Sequence, residues 1–294
     1  MVAADGAFIA IDWGTTNRRA YLIDANGAVC GTIASDRGVL ALTSSDYPRE
    51  IAALRAHFGV EPVLAAGMVG SNRGWHDVPY IDAPATLDDL AHGTVEVAPN
   101  VRIVPGIAVR GGGHADVMRG EEVQVLGAIA AGAAPADAAF CQPGTHNKWI
   151  ATTDGHIVDS ATAMTGELFA LLRQHGTLAQ MIAGEVTDGA AFRDGVARGA
   201  GATDLAAALF EIRAAVLLGR LAAADAGAYA SGVLIGADVG ARRDLAARPV
   251  HLLASGALAS LYRVAIEACG GRVVALDATA AFVAGIHRIR ELTA

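Results

Sequence analysis

Residues 9–16 read Ile-Ala-Ile-Asp-Trp-Gly-Thr-Thr, and this stretch decides how the fold begins. Its apolar start predicts a buried strand that ends at Asp12, followed by a tight turn into a second strand. At Gly14 the backbone can come close to an oxyanion, because glycine has no Cβ. Thr15 and Thr16 offer hydroxyl and N–H groups to phosphate oxygens, and Asp12 can hold Mg²⁺, usually through water. Taken alone, the segment indicates no more than an ordinary hairpin with a polar turn.

A second strand–turn–strand pattern occurs in the other half of the chain. It has a strand over Ala139–Gln142, a turn that contains Gly144 and Thr145, and a strand from Asn147 to Thr152. A third strand is predicted after each hairpin, so the structure is expected to repeat although the sequence does not. Two such hairpins facing each other would hold a polyphosphate from both sides. Lys148, the single lysine among 22 basic residues, stands in the second hairpin, where a compact ammonium suits phosphate.

The segment between the hairpins starts with regular elements and then becomes irregular. Helical spacing predicts a helix over Tyr47–Phe58, and an apolar run predicts a strand over Pro62–Ala66. Residues 67–120 are rich in Gly, Pro, Asn and Asp, which predicts a loop-rich insertion. An insertion of this length inside a compact chain is usually functional.

Within the insertion, residues 66–75, AGMVGSNRGW, offer groups that could bind a substrate. Ser71, Asn72 and Arg73 carry donors suited to a carboxylate or to hydroxyls, and Trp75 can pack on the face of a sugar. The simpler alternative is a glycine-rich loop with a core tryptophan.

A helix is predicted from Glu121 to Ala134, and its first two residues are glutamates. Carboxylates at a helix start often only offset the helix dipole. Glu121 lies between the two hairpins in sequence, where a general base for a sugar hydroxyl would be needed. The adjacent Glu122 leaves the choice of base open.

The last part of the chain alternates between helices and strands. Residues 167–247 are predicted to be largely helical, and strands are predicted over Pro249–Ala254 and Arg272–Leu276. This alternation is typical of an α/β fold with a mixed sheet flanked by helices. Gly256 stands in a strand–turn–helix segment of the kind that accommodates a ribose and a planar base. Residues 234–238 are interpreted as helix packing.

Composition restricts the class of protein. The 294 residues, 53% of them hydrophobic, suffice for two domains or one large one. A net charge of −8 without a basic block argues against a nucleic-acid partner. The longest apolar run is too short to span a membrane, and the first residues do not resemble a signal peptide. Three widely spaced cysteines fit a reducing cytoplasm, and a homodimer is left open.

Five motifs resemble, in their order along the chain, the 2-dehydro-3-deoxygalactonokinase family: IAIDWGTTNRRAYL, AAGMVGSNRGW, VMRGEE, PGTHNKW and MTGEL. The hairpins alone resemble the wider superfamily of actin-like ATPases and sugar kinases. The resemblance implies two ribonuclease H-like domains, the actin-like ATPase fold, with a cleft between them. Residues 1–135 would carry the substrate-binding insertion, and residues 136–294 would bind the nucleotide. The last helix could return to the first domain.

The resemblance also implies the reaction and its ligands. A member of this family uses ATP and Mg²⁺ to phosphorylate the 6-hydroxyl of 2-dehydro-3-deoxy-D-galactonate, in the catabolism of galactonate and galactose. By position, Asp12, Gly14 and Thr15 match the first phosphate-binding segment of the family. Gly144 and Thr145 match the second, and Gly256 matches the adenosine segment.

The remaining roles are hypotheses about mechanism. Thr16 would join the phosphate contacts, and Lys148 or His146 would offset charge on the transferred group. Asp12 would be the metal ligand, and Glu121 would be the base, although the wider superfamily usually has an aspartate in this role.

Other functions stay open beside this one. The same fold could phosphorylate an amino sugar or gluconate, serve as a non-catalytic sugar sensor, or hydrolyse a phosphoanhydride. A nicotinamide dehydrogenase is disfavoured, because the glycine fingerprint of dinucleotide-binding folds is missing.

Overall fold

The computed structural model describes residues 6–60, 62–111, 113–242 and 245–293. The chain packs into two compact units, which are described separately. The first unit comprises residues 1–137, 151–160 and 278–294, and the second comprises residues 138–150 and 161–277.

The first half of the chain supplies most of the first unit. Its elements, in chain order, are β1 (Phe8–Trp13), β2 (Arg18–Ile23), β3 (Val29–Ser35), α1 (Tyr47–Phe58), β4 (Val63–Ala66), β5 (Ile81–Asp82), α2 (Leu87–His92), β6 (Val95–Ala98), β7 (Val101–Ile103), β8 (Ile107–Val109), β9 (Asp116–Met118) and α3 (Glu121–Ala130).

The second half of the chain supplies the second unit, and it also supplies residues 151–160 and the last helix of the first unit. Its elements are β10 (Ala139–Gln142), β11 (Asn147–Thr153), β12 (His156–Ala163), α4 (Thr165–Gln174), α5 (Ala190–Ala200), α6 (Leu205–Leu217), α7 (Ala226–Gly240), β13 (Val250–Leu253), α8 (Gly256–Ala268), β14 (Val273–Leu276) and α9 (Ala278–Thr293).

The main sheet of the first unit has the strand order β3-β2-β1-β4-β7-β6. β1 runs antiparallel to β2 and parallel to β4, with Asp12 opposite Ala66 in the register. Because parallel strands end at the same edge of a sheet, the turn after β1 and the loop after β4 leave the sheet side by side. Buried side chains such as Ile9, Ile11 and Trp13 pack below them against α1.

Glycines allow α9 to cross α3 at close range within the first unit. A Cβ at Gly127 of α3 would lie 2.1 Å from the Ala281 carbonyl oxygen, and one at Gly285 of α9 would lie 2.1 Å from the Val123 carbonyl oxygen. The two helix backbones are therefore in direct contact, and no larger residue fits at either position.

The second unit repeats the arrangement of the first. The five-stranded sheet has the order β12-β11-β10-β13-β14, in which β10, β13 and β14 are parallel and belong to the second unit, whereas residues 151–160 of β11 and β12 are counted with the first. The predicted repeat of two hairpin-led sheets is confirmed. α5 and α7 also cross through glycines, since a Cβ at Gly236 would lie 2.3 Å from the Val196 carbonyl oxygen.

Most predicted elements are confirmed, and one prediction is wrong. The helix over Tyr47–Phe58 is confirmed. Residues 67–120 are loop-rich as predicted, and α2 and five short strands lie within them, three of which form the sheet β5-β8-β9. The predicted helix from Glu121 to Ala134 ends at Ala130, and Gly132 then takes a left-handed φ of +69°.

The crossing of α3 and α9 makes a prediction about stability. Glycine-to-alanine changes inside helices usually stabilise by roughly 0.5–1 kcal/mol. Gly127→Ala should instead destabilise by about 2 kcal/mol or more, because its Cβ would overlap the backbone of α9. Urea unfolding measures this change. Ala130→Gly, at an exposed position of the same helix, is the control and should cost no more than about 1 kcal/mol. A stabilising Gly127→Ala would contradict the described crossing.

Candidate active site

Three segments of the first unit meet at Gly67, the residue after β4. Its φ of +98° and ψ of −159° belong to a region that is essentially restricted to glycine. A Cβ at Gly67 would lie 2.8 Å from the Trp13 carbonyl oxygen, and a Cβ at Gly120 would lie 3.1 Å from Gly67 Cα. The end of β1, the loop after β4 and the start of α3 therefore contact one another through their backbones.

The turn after β1 is fixed by its backbone and leaves its hydroxyl groups exposed. The Gly14 N–H donates to the Asn17 carbonyl oxygen at 2.9 Å. Gly38 packs tightly against the turn, since a Cβ there would lie 2.4 Å from the Thr16 carbonyl carbon. The side chains of Thr15 and Thr16 are exposed, and so they are available to a ligand.

Asp12 is a carboxylate whose ionised form is disfavoured. Its pKa is raised from 3.8 to about 6, mainly by burial; Arg19 opposes this rise and the charge of Glu121 adds to it. The Arg19 guanidinium lies 3.7 Å from the Asp12 carboxylate and is itself more than half exposed. Asp12 is therefore a partly buried carboxylate with the like charge of Glu121 nearby and Arg19 as a neighbouring cation, and its ionised form would gain from a bound cation.

The two glutamates at the start of α3 have different surroundings. Both carboxylate oxygens of Glu122 lie 2.7 Å from the Gly120 nitrogen, whose N–H donates to them. Glu122 is fully buried, and burial raises its pKa to about 8. Glu121 is half-buried and accepts one hydrogen bond, from the Arg119 N–H at 3.0 Å. Glu121 thus remains accessible to a ligand, whereas Glu122 acts inside the protein as an acceptor for the helix start.

The predicted binding residues in the loop after β4 differ in their exposure. Ser71 is buried, and its hydroxyl donates to the Met68 carbonyl oxygen at 2.7 Å. Asn72 and Arg73 are exposed. Trp75 is half-buried, with one ring face stacked on Tyr47 at 5.5 Å between centroids.

Arg119 was missed by the sequence reasoning, although it belongs to the MRGEE motif. Its side chain is buried, its guanidinium lies 4.2 Å from the centre of the Tyr80 ring, and its Nη2 donates to the Val78 carbonyl oxygen at 2.8 Å. Within the described residues, its Nε and Nη1 find no hydrogen-bond partner. A buried positive charge therefore lies behind the loop after β4. Nη1 is so near Gly70 that a Cβ on Gly70 would touch it.

In the second unit, the turn between β10 and β11 packs against the start of α4. The Glu167 N–H donates to the Thr145 carbonyl oxygen at 2.9 Å, and a Cβ at Gly166 would lie 2.5 Å from the Gly144 carbonyl oxygen. Thr145 and His146 are exposed, and His146 Nε2 lies 2.6 Å from the Glu167 carboxylate. As in the first hairpin, the backbone is held and the side chains at the turn are exposed.

Lys148 differs from the exposed residues of the same hairpin. It is buried, and its Nζ donates to the Thr162 hydroxyl at 2.6 Å. The Lys148 ammonium could therefore affect a ligand by long-range electrostatics, or by direct contact if its side chain moved.

Asp238 of α7 holds the second unit together around this hairpin. Its side chain is 3% exposed and accepts hydrogen bonds from three other elements, β11, α4 and α8, and from Arg242 just after α7. The donors are Asn147 Nδ2 at 2.6 Å, Trp149 Nε1 at 2.9 Å, Tyr262 Oη at 3.0 Å, Thr165 Oγ1 at 3.3 Å and Arg242 Nη2 at 3.3 Å. Residues 234–238 were predicted to serve only helix packing, which describes Gly236 correctly and misses Asp238.

A mainly apolar cavity lies beside this network. α7 contributes three residues, α4 and α8 contribute the others, and the hairpin contributes its glycine: Gly144, Thr165, Gly166, Phe169, Ser231, Leu234, Ile235, Leu258 and Tyr262. Gly256 is the first residue of α8 and has a left-handed φ of +66°. The strand–turn–helix predicted around Gly256 therefore directs α8 to one wall of the cavity.

The predicted site residues consequently form two groups. In the first unit, Asp12, the turn after β1, the loop after β4 and Glu121 converge at Gly67. In the second unit, Gly144 and α8 line the cavity, and Thr145 follows Gly144 in the same turn. Lys148 is buried in the same unit. Within the described ranges, no cluster of three or more metal-ligating side chains occurs, and no helix is long and apolar enough to cross a membrane.

Comparisons with known proteins agree with this geometry. The fold is that of the actin-like ATPases and sugar kinases, which confirms the predicted fold class. The structure resembles component A of the Acidaminococcus fermentans (R)-2-hydroxyglutaryl-CoA dehydratase with a TM-score of 0.50 and 13% identity, over 98% of this chain and 97% of that one. At this identity, the similarity concerns the fold alone.

The chain belongs to the 2-keto-3-deoxy-galactonokinase family, whose pattern it matches over residues 12–289. It is 36% identical to the 2-dehydro-3-deoxygalactonokinase of Escherichia coli (strain K12), over 98% of both chains. It resembles the crystal structure of a Sinorhizobium meliloti protein assigned as a 2-dehydro-3-deoxygalactonokinase with a TM-score of 0.87 and 36% identity, over 95% of this chain and 94% of that one. The predicted family is confirmed.

The raised pKa of Asp12 makes a prediction about stability and pH. The folded protein retains a proton on Asp12 between about pH 4 and pH 6 that the unfolded chain has lost, so this group's contribution to stability falls as pH rises through that window. Above it, ionised Asp12 costs at most about 3 kcal/mol. Asp12→Asn should therefore stabilise the ligand-free protein by about 1–3 kcal/mol at pH 8 and very little at pH 4.

Chemical unfolding at both pH values measures this difference. Asp36→Asn, at an exposed position, is the matched control and should change stability little at either pH. An equal effect of Asp12→Asn at pH 4 and pH 8 would refute the assigned charge penalty.

Proposed function

We propose that this protein transfers the γ-phosphoryl group of ATP to the 6-hydroxyl of 2-dehydro-3-deoxy-D-galactonate, giving the 6-phosphate and ADP. The observation that carries the proposal is the pair of carboxylates Asp12 and Glu121. They come from different elements, the charge of Glu121 raises the pKa of Asp12, and they lie in a chain that matches the family over nearly its full length. Phosphoryl transfer asks a protein mainly for positioned groups and charge neutralisation.

The phosphates of ATP would be bound by the two Gly-Thr turns. Gly14, Thr15 and Thr16 would contribute from the first unit, and Gly144 and Thr145 from the second. The exposure of the threonine side chains and the fixed backbones of both turns support this role. Backbone N–H groups at glycine turns can approach phosphate oxygens without a steric penalty.

Positive charge near the second turn would offset charge on the phosphates. The candidates are Lys148 and His146. His146 is exposed and is oriented by Glu167, so it can contact a phosphate directly. Lys148, held by Thr162, would act electrostatically from inside the unit.

Asp12 would hold Mg²⁺. Its partly buried carboxylate suits the ion, because its ionised form gains from a divalent cation, and Mg²⁺ takes most other ligands from water and phosphate. The ion, when bound with ATP, would neutralise charge on the phosphate oxygens. The donor set in the first unit therefore fits Mg²⁺.

Glu121 would act as the base for the sugar hydroxyl. Its partial exposure supports this choice over Glu122, which is fully buried and occupied by the Gly120 N–H. Ser71, Asn72 and Arg73 would orient the sugar acid, with Arg73 offering a forked donor to its carboxylate. Trp75 would pack on the substrate with the face that Tyr47 leaves uncovered.

The cavity of the second unit would receive the nucleoside. Its apolar walls and the turn at Gly256 support this assignment, since most ligand pockets combine apolar walls with a few polar groups. Residues 136–294 would accordingly be the nucleotide-binding domain, and residues 1–135 would carry the sugar acid in the insertion at 67–120. An ATP-dependent enzyme of this kind would act in the cytoplasm.

The activity can be tested directly with the purified protein. ADP release should occur with 2-dehydro-3-deoxy-D-galactonate and Mg²⁺, and should be much weaker with 2-dehydro-3-deoxygluconate, gluconate or an amino sugar. A stronger response to another acceptor would favour a different sugar kinase on the same fold. Sugar-acid binding without any ADP release would favour a sensor, and ADP release without a sugar acid would favour a hydrolase.

The assignment of the base predicts the effects of two neighbouring changes. Glu121→Gln should lower kcat by about 10²–10⁴-fold, because a general base contributes that much to rate. Glu122→Gln should lower kcat far less, since Glu122 is buried and its pKa near 8 keeps it largely protonated at neutral pH. Steady-state kinetics compares the two, with circular dichroism to verify folding. The reverse order of effects would make Glu122 the base.

Asp238 should behave as a positioning residue for the nucleotide. Asp238→Asn keeps the shape of the side chain but replaces one acceptor oxygen with a donor, so hydrogen bonds to Asn147 or Tyr262 must rearrange. We expect KM for ATP to rise about tenfold, with a much smaller change in KM for the sugar acid. Equal changes in both constants would indicate a general loss of structure instead.

A further inference from the structure

The three most exposed large apolar side chains of the described residues lie together at α6. Phe210 is 64% exposed, Leu217 is 64% exposed, and Leu218, directly after the helix, is 73% exposed. Large apolar side chains grouped on one surface usually mark a contact with another molecule. The proposed kinase activity does not use this surface.

The turn angle of an α-helix places these residues on one face. Ala208 and Ile212 are buried, and α6 packs with that side on α7. At about 100° per residue, Phe210 and Leu217 project to the opposite side. Ala206 and Ala207 are exposed on the same outer face. We call this outer face, formed by residues 206, 207, 210, 214, 217 and 218, the α6 stripe.

The α6 stripe is complementary to itself in shape. Its leucines lie at the C-terminal end and its small alanines at the N-terminal end. If two copies of α6 pack antiparallel about Ile212, Leu217 of one copy lies beside Ala206 and Ala207 of the other. Leu218 likewise lies beside these two alanines of the other copy, on the side of Ala207. Each large side chain thus meets a small one, as interdigitated helix packing requires.

The charges around the α6 stripe also favour an antiparallel pair. The helix starts at the exposed N-cap residue Asp204, and the exposed Arg220 follows its C-terminal end. Antiparallel packing brings Asp204 of one copy towards Arg220 of the other, and it opposes the two helix dipoles. The stripe itself carries no charged residue, so nothing charged is buried at its centre.

A membrane surface fits the α6 stripe less well. Helices that lie on membranes usually have several lysines or arginines along their polar face. α6 has one basic residue, Arg213, whose guanidinium donates to the Thr177 carbonyl oxygen, and the chain has a net charge of −8.

We propose that the α6 stripe is a self-association surface, through which two copies of this chain form a symmetric antiparallel homodimer. Two-fold pairs of this kind are the commonest closed assemblies of soluble proteins. One helix stripe is small for a protein interface, so the dimer forms at micromolar or higher concentration.

The first test is the mass of the whole protein in solution, measured by sedimentation velocity from low micromolar to several hundred micromolar. The mass should rise from 29.8 kDa towards about twice that value. Leu218→Glu should raise the dissociation constant roughly tenfold or more, because it buries a charge against Ala207 of the second copy. Leu171→Glu is the matched control: it removes an exposed leucine from another helix and should leave dimerisation unchanged.

The second test fixes the register. Adding Ala207→Lys to Leu218→Glu places opposite charges across the two-fold axis, and the double variant should regain at least part of the lost association. Thermal unfolding verifies that each variant is folded. The proposal is overturned by a parent protein that stays monomeric at every concentration, or by a dimer that Leu218→Glu leaves intact. Failure of the double variant to rescue would overturn the antiparallel register. Co-sedimentation of the monomer with anionic lipid vesicles would assign the stripe to a membrane instead.

Discussion

The backbone contact at Gly67 is the constraint on which the site of the first unit depends. The parallel register of β1 and β4 brings two loops out at the same edge of the sheet. The missing side chain at Gly67 then lets them approach until their backbones touch, and Gly120 lets α3 start at the same point. Asp12 and Glu121 are far apart in sequence, yet the charge of Glu121 raises the pKa of Asp12, because these three segments cannot separate without losing that contact.

Much of the fold could be predicted because its strongest signals are local. The glycine turns of the two hairpins and the helical spacing over Tyr47–Phe58 each lie within a few residues of sequence. The strands inside residues 67–120 gave no such signal, since they are two to four residues long and are stabilised by their neighbours in the sheet. The early end of α3 depends on Gly132, whose left-handed backbone is favourable only for glycine.

The candidate site was predictable where its polar and charged residues are close together in short sequence motifs. The turns at Gly14 and Gly144 and the glutamates of α3 belong to this class, although their roles in binding and catalysis stay predictions. Asp238 could not be found in this way, because its importance arises from donors on three other elements that are distant in sequence. The buried state of Lys148 was equally invisible, since exposure depends on the packing of β12 beside it.

The crossing of α3 and α9 has a consequence for the order in which the protein can fold during synthesis. The first unit needs α9 to cover α3, but the ribosome makes α9 only after all of the second unit. Until then, the apolar face of α3 lacks its main partner. Domains usually fold in the order in which they emerge from the ribosome. In this protein, the first unit is the first to be synthesised but the last to be complete, because it needs α9. Chaperone binding during translation would accordingly concentrate on the N-terminal half.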